Sequence, residues 1–255
     1  MASRTASTSV SPAPRRPRAL AVVRDPRPDE IDAPIDWSSW YLTDEEDVGE
    51  SNEQSQIISV LRSVLEQLCR ERGWGATYIG SDQFFAWVPG EPLVRVSPDV
   101  YLLDDPPPPP LPASWQTWRQ GHRPPRFAVE VVSGDDEHPD RWRKDYEEAP
   151  EKYAQLGAAE LVIFDPEAAA GRARDDHDRV ALQIYRRQAD GAFVRAHSGR
   201  GPAESHELGA WLVVVLEGPV ARLRVARDAG GRDLVPTATE EVASLRQELD
   251  RLRGR

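Results

Sequence analysis

The stretch Phe127-Ala128-Val129-Glu130-Val131-Val132 is an apolar run that carries a single carboxylate, at Glu130. A short run of this kind, rich in β-branched residues, is typical of a buried strand. Side chains alternate along a strand, so Glu130 should point to the same face as Ala128 and Val132. A buried carboxylate without a partner is expensive. The pattern therefore predicts either a cation at this face or a salt bridge from one of the many arginines.

The segments on either side of this strand predict an α/β core with a mixed sheet flanked by helices. Apolar residues at helical spacing predict a helix over residues 54–72, with Gly73 as its stop and Ser51 as its cap. A second helix is expected over residues 140–156, where Pro150 should kink it or begin a new turn. The five prolines at 106–110 should be extended. Strands are predicted at residues 76–79, 84–88, 99–102, 127–132 and 161–164.

The remaining segments predict a tail, a β extension and a final helix. We predict that residues 1–28 form a disordered Arg/Ser/Pro-rich tail. Residues 29–235 are predicted to form one domain, with its core at about 47–166 and a β extension at about 178–235. Strands of the extension are predicted at residues 181–186, 192–195, 211–216 and 222–226. Residues 236–255 form an amphipathic helix, with Thr237 and Glu240 at capping-box spacing. Its apolar stripe should dock on its own domain or, as we favour, pair weakly with a second copy.

Composition excludes several classes of protein. The chain has 255 residues and a net charge of −11, which argues against a protein that coats DNA but not against a local basic groove. Its single cysteine, Cys69, cannot build a disulfide framework, and no apolar run is long enough to span a membrane. A cytoplasmic protein without membrane contact is therefore expected. The only lysines are Lys144 and Lys152, so any mechanism that needs a lysine has two candidates.

A second carboxylate strengthens the case for a cation. Asp99 opens a predicted strand in the phrase Ser97-Pro98-Asp99-Val100, although a carboxylate at a strand start is also common in turns. Carboxylates on neighbouring strands can hold Mg²⁺, which takes oxygen ligands and keeps several waters. The carbonyl of Val131 could supply a further oxygen. The sequence therefore predicts a metal site between Asp99 and Glu130.

These phrases resemble the PD-(D/E)xK nuclease superfamily and, within it, the bacterial restriction endonuclease-like family known as Uma-two. The resemblance is good over residues 47–166 and weaker beyond them. It implies a restriction-endonuclease-like fold that hydrolyses phosphodiester bonds in DNA with Mg²⁺, or with Mn²⁺ as an alternative. The matching phrases are DVGES at 47–51, Glu53-Gln54, GSDQFFAW at 80–87, Ser97-Pro98-Asp99, VEVVS at 129–133, DYEE at 145–148, YAQLG at 153–157 and Phe164-Asp165-Pro166.

The resemblance also implies roles for individual residues. Asp99 and Glu130 would be metal ligands and catalytic residues, and Glu53 would complete the site unless it is an ordinary acidic residue at a helix N-terminus. The family's pattern Asp-x-x-x-Lys-x-x-x-Tyr matches at Asp145 and Tyr153.

The lysine of that pattern is replaced here by Ala149. Lys152 is the better substitute by helical position, and Lys144 is the fallback if the helix breaks. Alternatively, Lys152 only pairs with Glu148. The rival readings are a degenerate nuclease fold that binds without cleaving and an interaction module that uses the proline run and the last helix.

Overall fold

The computed structural model describes residues 52–91, 93–133, 142–174 and 178–253. The predicted tail, the Ser51 cap and the expected helix start at residue 140 lie outside the described residues. The chain is α/β, as predicted: a six-stranded mixed sheet carries helices, and a smaller β-sheet and a final helix follow it.

The first helix, α1 (Asn52–Arg72), forms because one of its faces is apolar along its whole length. That face is buried, with Leu61, Val64 and Leu65 fully inaccessible to solvent. Gly73 ends the helix at a φ of +69°, a backbone conformation that glycine adopts without penalty. The predicted stop is therefore confirmed.

The strands of the main sheet are β1 (Thr77–Gly80), β4 (Val100–Asp104), β6 (Phe127–Val131), β7 (Glu160–Phe164), β8 (Leu182–Arg187) and β9 (Phe193–Gly199). They lie in the order β1-β4-β6-β7-β8-β9. Neighbouring strands are antiparallel except β6 and β7, which are parallel. A parallel pair needs a crossover, and the helical segment between these strands provides it.

The crossover begins with a widened turn at Lys144–Glu148, followed by α2 (Ala149–Leu156). Pro150 lies in the first turn of α2, where its missing N–H is tolerated, so it begins a new helical turn rather than kinking a continuous helix. A short helix that was not predicted, α3 (Pro166–Ala169), follows β7, and the Asp165 carboxylate caps it by accepting from the Ala168 N–H.

Two small sheets complete the described structure. The predicted strand at residues 84–88 is only β2 (Phe85–Ala86), and it lies outside the main sheet, between β3 (Arg95–Val96) and β5 (Trp115–Gln116). The β extension contains β10 (Ala203–Ser205), β11 (Ala210–Glu217) and β12 (Val220–Ala226). The strands β3, β5 and β10 were not predicted, because they contain too few residues for a hydrophobic period to be read. The last helix is α4 (Ala238–Arg253), and the predicted capping box is present, with Thr237 and Glu240 bonded reciprocally.

The main sheet separates two apolar cores. One core joins α1 to one sheet face and also takes in Leu212, Leu223 and Val225 of the β extension. The other core lies on the opposite face and contains Ala128 and Val132. Phe127, Val129 and Val131 belong to the first core, so the alternation predicted along β6 is confirmed. Glu130 consequently lies on the face that packs against α2.

Candidate active site

Asp99 lies immediately before β4, and its carboxylate is anchored on β6. The Val131 N–H donates to Oδ2 at 2.5 Å, and Gln54 Nε2 donates to Oδ1 at 3.1 Å. Because Val100 faces Val129 across the antiparallel pair, Asp99 reaches the end of β6 beside Glu130. Burial raises the pKa of Asp99 well above its usual value, and the hydrogen bond from Val131 opposes that shift. Ionisation of Asp99 is therefore unfavourable unless a positive charge lies close to its carboxylate.

Glu130 is held from α2. The Tyr153 hydroxyl donates to Glu130 Oε1 at 2.6 Å, and Tyr153 itself is fully buried. Burial raises the pKa of Glu130 well above its usual value, and the negative charges of Asp99 and Asp145 raise it further. The pKa of Tyr153 is also raised, first by burial and then by Glu130, so the phenol stays protonated and remains a donor.

Asp145 is the third carboxylate of this cluster. The Ser133 N–H, directly after β6, donates to its Oδ2 at 3.3 Å. Burial is the main cause that raises the pKa of Asp145 to about 7. Asp145 in turn raises the pKa of both Asp99 and Glu130. Three acidic groups therefore lie close together at the junction of β4, β6 and the crossover, with Asp99 buried and Glu130 and Asp145 half-buried.

The widened turn gives Asp145 its position. The Ala149 N–H bonds to the Lys144 carbonyl, five residues earlier, instead of the carbonyl four residues earlier used in an α-helix. Pro150, the next residue, has no N–H to contribute. The irregular turn and α2 together bring Asp145 to Ser133 and Tyr153 to Glu130, at opposite ends of one helical segment.

A second network, of hydrogen bonds and one ion pair, holds the same turn in place. Tyr146, adjacent to Asp145, donates from its hydroxyl to Asp165 at 2.8 Å and accepts from the Val180 N–H at 3.0 Å. Arg179 forms an ion pair with Asp165 at 2.7 Å, with both side chains fully buried. These contacts attach the turn to the end of β7, so they position Asp145 without reaching the carboxylate cluster themselves.

The two lysines have different surroundings. Lys152 has a side chain that is only 6% exposed, and its Nζ lies 3.1 Å from Glu148 Oε2. Its positive charge lowers the pKa of Glu130 and Asp145, against the effect of burial. Lys144 is exposed at the start of the widened turn. Ala149, at the family's lysine position, is buried in the apolar core beside Tyr153.

Glu53 and Val131 take other contacts than the predicted ones. The Glu53 carboxylate pairs with Arg172 at 3.1 Å, while the next residue, Gln54, contacts Asp99. Val131 donates its N–H to Asp99, and this bond leaves open the prediction that its carbonyl could supply an oxygen to a metal. Among the described residues, no group of three or more His, Cys, Asp or Glu side chains is arranged to hold a metal ion.

Gln54, Asp145 and Tyr153 belong to the cluster although the site prediction omitted them. Asp145 and Tyr153 could have been found from the family's pattern Asp-x-x-x-Lys-x-x-x-Tyr, in which they lie four residues before and four residues after Ala149. Gln54 carried no comparable signal, since an amide in the first turn of a helix is ordinary and only the packing of α1 brings it to Asp99.

A cluster of three carboxylates with a buried lysine close by thus lies at the end of a mixed sheet. The model of the Uma2 family, described as "Putative restriction endonuclease", matches residues 45–212, and the chain belongs to this family. Membership supports a nuclease function. A search of curated proteins finds no match. No helix in the described part of the chain is both long enough and apolar enough to cross a bilayer.

A solved structure from Anabaena variabilis is also similar. It is described as a "putative nuclease belonging to DUF820". The two sequences are 12% identical, and the TM-score of the superposition is 0.42. The match covers 63% of this chain and 76% of the Anabaena chain.

Proposed function

We propose that the chain is a Mg²⁺-dependent endonuclease that hydrolyses phosphodiester bonds in DNA, with Mn²⁺ as a substitute metal. The observation that carries the proposal is that Asp99, Glu130 and Asp145 lie together at the end of β6, where the N–H groups of Val131 and Ser133 donate to Asp99 and Asp145, with the charge of Lys152 close by. Burying three acids together raises the cost of their ionisation, and binding a divalent cation would offset that cost. Family membership agrees with this chemistry.

The donor chemistry fits Mg²⁺. Mg²⁺ is usually held by one or two carboxylates and several waters, so a site of Asp99 and Glu130 does not need a third protein carboxylate. Glu130 Oε2 has no role in the bond to Tyr153, which uses Oε1. The Val131 carbonyl and Glu53 stay proposals as additional ligands; for Glu53 that role would require release from Arg172.

Each residue of the cluster has a task in the proposed reaction. Asp99 and Glu130 would hold the cation, whose chemistry when bound is to lower the pKa of a water and to neutralise charge on the phosphate. Tyr153 would orient Glu130 by donating to Oε1. Lys152 would hold a phosphate oxygen through its ammonium group, after exchanging its contact with Glu148.

The second candidate is a degenerate nuclease fold that binds nucleic acid without cleaving it. Two observations favour it: Ala149 fills the lysine position of the family, and Lys152 is already paired with Glu148. In that case the carboxylate cluster would bind a cation and the protein would not hydrolyse the backbone.

A plasmid-nicking assay with Mg²⁺, Mn²⁺ or EDTA separates the two candidates. The nuclease proposal expects cleavage that EDTA abolishes, that Lys152→Met and Glu130→Gln each lower at least a hundredfold, and that the exposed control Lys144→Met leaves nearly unchanged. A wild-type protein that cleaves with neither metal, yet retains DNA in a filter-binding assay in EDTA, would favour the degenerate candidate. Equal losses in Lys144→Met and Lys152→Met would refute the assignment of Lys152.

A further inference from the structure

The last helix, α4, carries an exposed apolar stripe that the rest of the described chain does not cover. Its members are Val242, Leu245, Leu249 and Leu252, with exposed fractions of 45%, 60%, 44% and 62%. They are four of the seven exposed large apolar side chains among the described residues, and they follow the 3-4-3 spacing of a heptad seam. Such a concentration on one helix face is typical of an interaction surface.

The base of α4 is fixed to the protein, and its remainder projects into solvent. Glu240 pairs with the buried Arg224 at 2.7 Å, and the Ala238 N–H donates to Ser63 Oγ of α1 at 2.9 Å. Every residue from 242 to 253 is exposed. An isolated helix of this length is only marginally stable in water, so a partner for the stripe would also stabilise the helix.

Charges on both sides of the stripe specify the partner. Glu241 and Glu248 flank it on one side, and Arg246 and Arg253 flank it on the other, with each Arg five residues after a Glu. In heptad notation the two Glu residues occupy g positions and the two Arg residues occupy e positions. In a parallel two-stranded coiled coil, a g side chain faces the e side chain five residues later in the other helix. Each Glu of one copy would then face an Arg of the other.

We propose that α4 pairs in parallel with α4 of a second copy of this chain, as a short two-stranded coiled coil. An antiparallel pair would oppose Glu to Glu and Arg to Arg, which is repulsive. A β-branched residue at the first seam position, Val242, followed by Leu245 at the next favours two strands over three. The pairing does not depend on the proposed nuclease function.

Two contacts within the protomer compete with this arrangement. Glu241 lies 3.9 Å from Arg70 of α1, but the two side chains are 41% and 57% exposed. Gln67 Nε2 of α1 also donates to Glu241 Oε1, at a distance of 3.5 Å. An exposed ion pair and a hydrogen bond this long each contribute little to stability, so Glu241 can turn to Arg246 of the second copy at a small cost.

Sedimentation velocity of the full chain over a range of concentrations tests the pairing. A dimer fraction that rises with concentration is expected, and Leu249→Asp should abolish it. Because Leu249 is 44% exposed in the protomer, this variant should keep the thermal midpoint of the folded domain. A wild-type protein that stays monomeric at the highest concentration reached, or a dimer unaffected by Leu249→Asp, overturns the proposal.

Charge variants test the register. Arg246→Glu should weaken the dimer about tenfold, since two attractive pairs become two repulsive ones. Arg251→Glu makes the same charge change on the opposite side of the helix and should have little effect. The double variant Glu241→Arg/Arg246→Glu should restore association. Equal effects of Arg246→Glu and Arg251→Glu would refute the pairing of the flanking charges.

The orientation has its own test. Leu252→Cys should form an intermolecular disulfide under mild oxidation, because a seam residue faces its own copy only in a parallel pair. The native Cys69 is buried and serves as the background. The same cysteine combined with Leu249→Asp should not cross-link. A dimer that forms no disulfide through residue 252 would overturn the parallel arrangement.

Discussion

Replacing Asp145 by asparagine should stabilise the metal-free protein at neutral and alkaline pH. The substitution keeps the shape of the side chain and an oxygen for the Ser133 N–H, but removes the buried negative charge. The pKa of Asp145 is raised from 3.8 to about 7, mainly by burial. A shift of about three units corresponds to about 4 kcal/mol, at 1.36 kcal/mol per unit, as the upper limit of the gain.

The sign follows from proton binding. Between pH 4 and pH 7 the folded state holds a proton on Asp145 that the unfolded state has released, so acid favours folding in this range. The cost of the charge is therefore absent below the unfolded pKa, grows as pH rises, and is constant above the folded pKa. The stability difference between Asp145→Asn and wild type should be near zero at pH 3.5 and reach its full size by pH 8.

Reversible urea denaturation in EDTA, followed by circular dichroism from pH 3.5 to 8.5, measures this difference. Glu147→Gln is the matched control, because it removes an exposed carboxylate from the same turn and should change the free energy of unfolding by less than about 0.5 kcal/mol at any pH. A variant Asp145→Asn that is less stable than wild type at pH 8, or a difference that does not vary with pH, would refute the buried-charge reasoning.

Four other substitutions have defined outcomes. Asp99→Asn and Glu130→Gln should each weaken Mn²⁺ binding at least tenfold by titration calorimetry, and unchanged binding in both would remove the metal site from this cluster. Arg179→Met should lower the free energy of unfolding by about 3–5 kcal/mol, because it leaves Asp165 buried without its ion-pair partner; a loss below 1 kcal/mol would mean that Asp165 is hydrated. Leu65→Ala, at a fully buried position of α1, should cost about 2–5 kcal/mol in the same assay, and a near-neutral result would contradict the packing of α1 on the sheet.

The α/β class, the strand around Glu130 and the face to which that side chain points followed from the sequence. Alternation along a strand is a local property, so the separation of Phe127, Val129 and Val131 from Ala128 and Val132 could be read from one hexapeptide. The same holds for α1 and for the capping box of α4, since helical period and cap spacing are both short-range. The proximity of Asp99 to Glu130 could also be predicted, because both are carboxylates on predicted strands that the resemblance places side by side.

The groups that complete the cluster could be identified only from tertiary contacts. Gln54 reaches Asp99 because α1 packs across the sheet, a contact between residues 45 positions apart that no local pattern encodes. Asp145 and Tyr153 meet β6 because a widened turn precedes Pro150, and that turn is fixed by a buried network from Asp165 and Arg179 on other elements. Likewise, the sequence offered two lysines, and only the packing shows how their surroundings differ: Lys152 is buried, Lys144 is exposed, and both lower the pKa of Asp145. Long-range packing determines burial, and burial determines the pKa and charge of these groups, so their chemistry is a property of the fold rather than of any segment.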